Sequence, residues 1–208
     1  EEGLLETQDS YSENFWNILP IEKINLSDDI ITVDGIENAN FLKGEEKAAK
    51  TIQKHSMLIN GRQRNPKIAN AYLLLGKARY LDQRFVPALD AFNQVYKQPR
   101  TNELWDQSVI WKAKSNIRLE QEALAIELIK TLLENEEINT QNKARANAVL
   151  SMAYLQIGQD KKAFKPLKTA AEIEPNKTNK ARYFYVLGQL LEKKSKRDSA
   201  NIYFKKVA

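Results

Sequence analysis

The sequence predicts an all-α protein built from repeated helix pairs, and two regularities carry this prediction. Small residues recur in steps of 37, 38 and 37 residues, and they are Gly76, Ala113, Ser151 and Gly188. Each is followed 12 residues later by an alanine, and these alanines are Ala88, Ala125, Ala163 and Ala200. Because a small side chain on each of two helices lets them cross closely, this spacing indicates one helix hairpin per repeat.

The residues around the first pair match the tetratricopeptide repeat. That motif reads W-x2-L-G-x2-Y…A-x3-F…P. The first copy here, with Tyr in place of Trp, holds Tyr72, Leu75, Gly76, Ala88 and Phe92 at the same spacing. We therefore predict an all-α tetratricopeptide-repeat right-handed superhelix (α-solenoid) with an irregular N-terminal arm.

The periodicity of hydrophobic residues predicts the boundaries of the arm and of the helices. Residues 1–37 do not follow the repeat and form the arm, in which Pro20 excludes a continuous helix. The solenoid is predicted over 38–208, with a helix at 38–57 and helix pairs at about 67–97, 102–135, 141–173 and 178–208.

Two details inside the solenoid are predicted from local residue types. Residues 58–66 read as a polar, turn-rich loop. Pro166 lies near the middle of a helix predicted over 160–173, and we expect it to bend or locally open that helix. The chain lacks an initial Met and ends inside the predicted last helix, so we expect it to be part of a longer protein.

Composition excludes several classes of site. There is no Cys and only one His, so thiolate metal sites, a zinc site and His-based catalysis are excluded. Carboxylates such as Glu45 and Glu46 are interpreted as parts of solvated helix faces, and no glycine-rich phosphate loop is present. The net charge of +5 is spread along every helix, which does not favour nucleic-acid binding. The sequence thus predicts no catalytic, metal or cofactor site.

The repeat register predicts a partner-binding groove instead. First helices of such repeats line the concave face, and their inward positions are apolar or aromatic with a line of cations. Trp and Tyr beside Arg are typical of binding hot spots, so we expect a partner segment that is apolar with acidic flanks. The candidate groove residues are Leu73, Lys77, Tyr80, Ile110, Trp111, Lys114, Arg145, Val149, Met152, Arg182 and Tyr185, with Leu74 and Ala148 at further inward positions.

The N-terminal arm is a second candidate. It carries Tyr11, Phe15 and Trp16 close to Pro20, and aromatic side chains at this density favour burial. Two interpretations remain open, because the arm could pack against the solenoid or bind a partner.

Several sequence segments indicate a particular family of repeat proteins. YSENFWNILP at 11–20, EKA to IQKHS at 46–56, AYLLLGKARY at 71–80 and DQRFVPA at 82–88 resemble the SprE/PorW family. These are tetratricopeptide lipoproteins of the type IX secretion and gliding-motility machinery of Bacteroidota. The resemblance implies an outer-membrane lipoprotein in the periplasm that couples the outer-membrane translocon to periplasmic ring and motor components. The family's lipid-bearing Cys is missing here, so any membrane attachment would use an anchor outside this chain.

Two functions follow. The first is a non-catalytic scaffold for protein transport that joins protein partners of the secretion machinery through the groove and the arm. The alternative is a chaperone-like or adaptor module that captures peptide segments of secreted cargo. A scaffold should bind a folded partner stably, whereas a capture module should bind many short segments weakly.

Overall fold

The computed structural model of the 208-residue chain describes residues 21–22, 39–97 and 103–207. In this part of the chain, nine α-helices and one antiparallel β-hairpin are present. The helices are α1 (Ala39–His55), α2 (Lys67–Leu81), α3 (Phe85–Tyr96), α4 (Glu103–Arg118), α5 (Glu122–Leu133), α6 (Thr140–Gln156), α7 (Asp160–Ile173), α8 (Lys177–Glu192) and α9 (Arg197–Phe204). The strands are β1 (Leu58–Ile59) and β2 (Arg62–Gln63). The prediction of an all-α repeat protein is confirmed, since α2 packs on α3, α6 on α7 and α8 on α9.

The contacts divide the chain into two units. Unit 1 contains α1 to α4 and the hairpin, and unit 2 contains Ile21, Glu22 and α5 to α9. The predicted second repeat therefore contributes α4 to unit 1 and α5 to unit 2. Each unit has a buried hydrophobic cluster of its own.

In unit 1, α2 and α3 cross at the small residues of the motif. A Cβ added at Gly76 would lie 2.6 Å from Cδ1 of Phe92, so no larger residue fits while the ring stays in place. Ala88 and Phe92 are both fully buried. Gly188 and Phe204 repeat this arrangement in unit 2, where an added Cβ would lie 2.5 Å from Cδ1 of the ring. The glycines are thus required by the approach of the second helix.

The third repeat makes the same crossing with a serine. Ser151 Oγ of α6 donates a hydrogen bond of 2.9 Å to the carbonyl oxygen of Ala163 in α7, and both residues are buried. The first helices of the third and fourth repeats also begin at asparagine caps. Asn139 Oδ1 accepts from the backbone N–H of Asn142 at 2.7 Å, and Asn176 makes the equivalent bond at the start of α8.

A residue with positive φ lies between the first and second helices of each repeat, and these four residues recur in the register of the repeat. They are Gln83 (φ 64°), Glu120 (φ 57°), Gly158 (φ 70°) and Ser195 (φ 57°). Glycine adopts this left-handed conformation at little cost, whereas a residue with a side chain loses roughly 1 kcal/mol. Among these four positions, only that of the third repeat is occupied by a glycine, Gly158.

This pattern predicts opposite effects of exchanging glycine in two of the turns. Ser195→Gly should raise the free energy of unfolding by about 0.5–1 kcal/mol, because relief of the strained φ outweighs the added backbone freedom. Gly158→Ala should lower it by about 1 kcal/mol. No atom lies within 4 Å of an added Cβ at Gly158, so the loss would report the backbone conformation alone.

Urea unfolding followed by far-UV circular dichroism measures both effects. Ser199→Gly is the matched control, because Ser199 is an exposed residue inside α9. The control should lose about 0.5 kcal/mol, because glycine has a lower helix propensity than serine. A loss at Ser195→Gly as well would contradict the role assigned to φ.

The segment predicted as a polar loop contains a hairpin. Leu58 pairs with Gln63 and Ile59 with Arg62, around Asn60 (φ 51°) and Gly61 (φ 72°). Asn-Gly at two positive-φ positions is the preferred type I′ connection of short hairpins. The polar, turn-rich loop predicted at 58–66 therefore contains a short hairpin that the prediction did not include, and the Asn-Gly pair is the signal that indicates it.

Pro166 does not interrupt its helix. α7 runs continuously from Asp160 to Ile173 with Pro166 buried inside it. A proline removes one backbone hydrogen bond, here to the carbonyl of Lys162, which belongs to an exposed residue that water can reach. The expected local opening is thus wrong, since burial of the proline ring offsets the missing bond.

Candidate interaction surfaces

Unit 1 places its predicted groove residues in two environments. Leu73, Tyr80, Ile110 and Lys114 are buried, so they shape the surface without offering area of their own. Lys77 and Trp111 are partly exposed. Leu74, three residues before Lys77 and on the same face of α2, is 51% exposed. The surface open to a partner in unit 1 therefore consists of Leu74, Lys77 and Trp111, here called the α2–α4 patch.

Trp111 is held by contacts on several sides. Its ring meets the edge of Tyr80 at a centroid distance of 5.1 Å and stacks on Phe92 at 6.1 Å. The ammonium nitrogens of Lys114 and Lys77 lie 4.1 and 5.6 Å from its ring centroid. Cations over an indole face are favourable, so the aromatic core of unit 1 also fixes two positive charges.

Lys77 connects α2 to α4. Its Nζ donates to Oε1 of Gln107 at 3.2 Å, and the Gln107 amide donates to Glu103 at 3.0 Å. The ammonium group is therefore positioned by a neighbouring helix. A positioned cation loses less side-chain entropy when it binds an anion than a free lysine would.

A second cation–aromatic group lies on unit 1 and was missed by the sequence analysis. Lys112 Nζ lies 3.7 Å from the ring centroid of Tyr96, and Tyr96 stacks on Trp105 at 5.2 Å. Trp105 Nε1 also donates to the Tyr96 carbonyl at 3.1 Å. Burial lowers the pKa of Lys112. The repeat register gave no signal here, because it singled out inward positions only.

In unit 2, the predicted groove residues also divide by exposure. Val149 is buried, whereas Arg145, Met152, Arg182 and Tyr185 are partly exposed. Tyr185 packs on Phe204 of α9 at a centroid distance of 5.5 Å. The two arginines come from the first helices of successive repeats, so this surface combines positive charge with apolar and aromatic area.

The predicted arm residues Tyr11, Phe15 and Trp16 lie outside the described residues. Ile21 and Glu22 of the same arm are described, and they belong to unit 2. Ile21 is 3% exposed and is part of the buried cluster that includes Ala148 and Tyr183. This part of the arm therefore packs against the chain itself.

Charge gathers around Tyr183 at the same place. Burial raises the pKa of Tyr183 far above its ordinary value, and the carboxylates of Glu22 and Glu174 raise it further. Arg145 acts in the opposite direction. Glu174 is itself buried and accepts from the backbone N–H of Asn176 at 3.0 Å. The carboxylate of Glu22 and the guanidinium of Arg145 thus have opposite effects on the pKa of Tyr183.

Glu45 is not part of a solvated face, so that interpretation is wrong. Its carboxylate accepts from Arg79 Nε at 2.8 Å and from Arg84 Nη2, and Arg84 Nε also donates to the fully buried Asp82 at 2.8 Å. Burial by itself would raise the pKa of Glu45, but the hydrogen bonds and charges of Arg84 and Arg79 outweigh it and lower the pKa. Glu46 beside it is exposed and pairs only locally, with Lys50.

Residues 21–22, 39–97 and 103–207 contain no cluster of side chains that could hold a metal ion. Nowhere among them do three or more His, Asp or Glu side chains gather as metal ligands would. An open depression of about 440 Å³ beside the start of α5 is lined by residues of both charges, among them Glu122 and Lys162. None of the helices in this part of the chain has both the length and the hydropathy of a membrane span.

Comparison with known proteins gives the fold. No protein-family model matches the chain, and no curated protein matches it. Its backbone is similar to a crystal structure of MamA, with a TM-score of 0.60 and 20% identity over 81% of this chain and 86% of MamA. A MamA structure from Desulfovibrio magneticus RS-1 is similar with a TM-score of 0.59 and 18% identity, over 81% of this chain and 84% of that one. The TPR-like repeats of a putative kinesin light chain from Podosopora anserina are similar with a TM-score of 0.59 and 16% identity, over 80% of this chain and 82% of that one.

The chain has a tetratricopeptide-like repeat fold. At these identities the similarity concerns the fold alone. The helix pairs, their small crossing residues and the four positive-φ turns are the features of this sequence that produce it.

Proposed function

We propose that the chain is a non-catalytic scaffold for protein–protein interaction, and that the α2–α4 patch is its main docking surface. The observation that carries this proposal is the exposed Leu74 on the same face of α2 as Lys77, whose ammonium group lies over the ring of Trp111. Such a surface fits an apolar segment with acidic flanks, because the apolar side chain and the carboxylates meet complementary groups.

The cellular setting of this proposal comes from the resemblance to the SprE/PorW family. We propose that the scaffold serves the type IX secretion and gliding-motility machinery, in the periplasm, as part of an outer-membrane lipoprotein. Its partners would then be the outer-membrane translocon and the periplasmic ring or motor components. The support for this setting is the set of sequence segments at 11–20, 46–56, 71–80 and 82–88.

The alternative proposal is a module that captures peptide segments of secreted cargo. It is favoured by the packing of Ile21 on unit 2, where an aliphatic residue that is followed by a glutamate already lies against repeat helices. Capture of many unrelated cargo proteins, lost on stringent washing, would support this alternative over the scaffold.

Affinity purification of the full-length protein from its native envelope tests the proposal. Mass spectrometry after stringent washing should find a short list of outer-membrane translocon and ring proteins. Absence of any stably bound protein would contradict the scaffold.

The α2–α4 patch is tested by the double variant Leu74→Ala with Lys77→Glu. Both side chains are at least partly exposed, so we expect folding to persist and capture of the partner to fall about tenfold or more. The remaining binding should depend less on salt, because an attractive charge has been reversed.

Lys161→Glu is the control, since it makes the same charge change at an exposed position of α7 in unit 2. Undiminished capture by the folded double variant would place the docking surface elsewhere. Tyr80→Ala would be a poor test, because Tyr80 is 1% exposed and its truncation would destabilise unit 1.

A further inference from the structure

The arm residues Ile21 and Glu22 occupy a position in unit 2 that the repeat register marks as inward-facing. Ile21 is 3% exposed, and its hydrophobic cluster contains Ala148, which the register places on the inner face of α6. Met152, another predicted groove residue, packs against the same cluster. An aliphatic side chain from a distant part of the sequence therefore covers part of the predicted groove.

One charged neighbour of this contact, Arg145, is complementary to a carboxylate, whereas the buried Glu174 accepts from the backbone N–H of Asn176. Glu22 follows Ile21 directly, and Arg145 lies three residues before Ala148, on the same face of α6. The place thus joins a buried aliphatic contact to a positive charge on the same face of α6.

We propose that Ala148, Arg145 and Tyr183 belong to a binding site for an aliphatic residue followed directly by a carboxylate, and that Ile21–Glu22 occupies this site in cis. The inference rests on the proposed function and deepens it, because it names the class of segment that unit 2 receives. A partner segment of the same chemistry competes with Ile21–Glu22 for this site.

Competition within one chain lowers the apparent affinity for an external segment. A tethered segment has an effective concentration on the order of millimolar, so it closes a site of only moderate affinity. The apparent affinity of an external segment then falls by the fraction of molecules in which the site is open. If that fraction is about one tenth, removing the internal segment strengthens external binding about tenfold.

A labelled peptide copied from residues 12–23 of this chain is the probe. Its fluorescence anisotropy is measured with the full chain and with the full chain carrying Ile21→Ala and Glu22→Gln. We expect the peptide to bind the double variant about tenfold or more tightly than the unchanged chain. Equal binding to both chains would overturn the proposal.

Two controls separate this site from general adhesion of an aromatic peptide. The same peptide with Ile21→Ser and Glu22→Lys keeps Phe15 and Trp16, and it should not bind the opened chain. Adding Arg145→Glu to the opened chain should abolish binding of the original peptide, whereas adding Lys161→Glu should not. Binding of the altered peptide, or indifference to Arg145→Glu, would count against the site.

The truncation at Ile21 could loosen unit 2, and circular dichroism of the variant detects this. In that event Glu22→Lys in an otherwise unchanged chain replaces it, with an expected gain of about threefold in peptide affinity. No gain from this folded variant would overturn the proposal.

This experiment is independent of the α2–α4 patch, because its probe comes from the chain itself. Success with the peptide and failure of the envelope purification would reject the scaffold while supporting the site in unit 2. The reverse pair of results would reject the site alone.

Discussion

We expect Gly76→Ala to lower the free energy of unfolding of unit 1 by about 2 kcal/mol, although alanine is the better helix former. The added Cβ would lie 2.6 Å from Phe92 Cδ1. The ring has no open space to enter, because Phe92 is fully buried and stacks on Trp111, which also meets Tyr80. Overpacking of about 3 kcal/mol therefore outweighs a propensity gain of about 1 kcal/mol.

Gly188→Ala is the matched control for this prediction. The overlap with the ring of Phe204 is equally close, but Phe204 is partly exposed at the last residue of α9 and can move outward. We expect a loss below about 1 kcal/mol there. Urea unfolding followed by far-UV circular dichroism measures both losses, since the helices of both units contribute to that signal. Equal losses at the two glycines would show that exposure of the ring does not decide the cost.

We expect Glu45→Gln to destabilise unit 1 by about 2 kcal/mol. The substitution removes the charge that two arginines share, and the side chains of Arg84 and Arg79 are only 15% and 25% exposed. Removing one partner of a buried ion pair costs about 3–5 kcal/mol, and partial exposure to solvent reduces that figure here. Glu46→Gln is the control, because its carboxylate is exposed and contacts only Lys50.

The same carboxylate makes stability depend on pH in a known direction. The folded-state pKa of Glu45 is lower than its ordinary value of 4.5. Its contribution is therefore fully present above about pH 4.5 and is lost as the pH falls through the folded-state pKa. Urea unfolding is measured between about pH 3 and 7, a range that spans the titration of a carboxylate. As the pH falls, the free energy of unfolding should decrease less for Glu45→Gln than for the unchanged chain. If the free energy of unfolding decreased equally in both chains at acidic pH, other carboxylates would be responsible for the pH dependence.

The repeated helix pairs could be predicted because their signal is local and periodic. Each pair of small residues is separated by 12 positions, and the contact of Ser151 with Ala163 shows why that distance matters. The hairpin at 58–63 has an equally local signal, the Asn60-Gly61 pair, although the sequence analysis did not predict it. Local turn chemistry is therefore sufficient for both features.

The contacts that sequence reasoning missed join residues far apart in the chain. Glu45 meets Arg79 and Arg84 across 34 and 39 positions, and no spacing rule identifies which charged residues will meet. The groove residues show a related difficulty. The register places both Leu73 and Leu74 on first-helix inward positions, yet Leu73 is 4% exposed and Leu74 is 51% exposed. Only the packing of neighbouring helices decides between them.

The position of Ile21 in unit 2 has a consequence for the order of synthesis. Ile21 leaves the ribosome well before Ala148, the α6 residue of its cluster, because 127 positions separate them. At about 5–20 residues per second, that interval lasts roughly 6 to 25 s. Throughout it, the helices of unit 1 emerge while the cluster that will bury Ile21 does not yet exist. In a nascent chain of this protein, Ile21 therefore lacks the residues that bury it in the folded protein until α6 to α8 have been made.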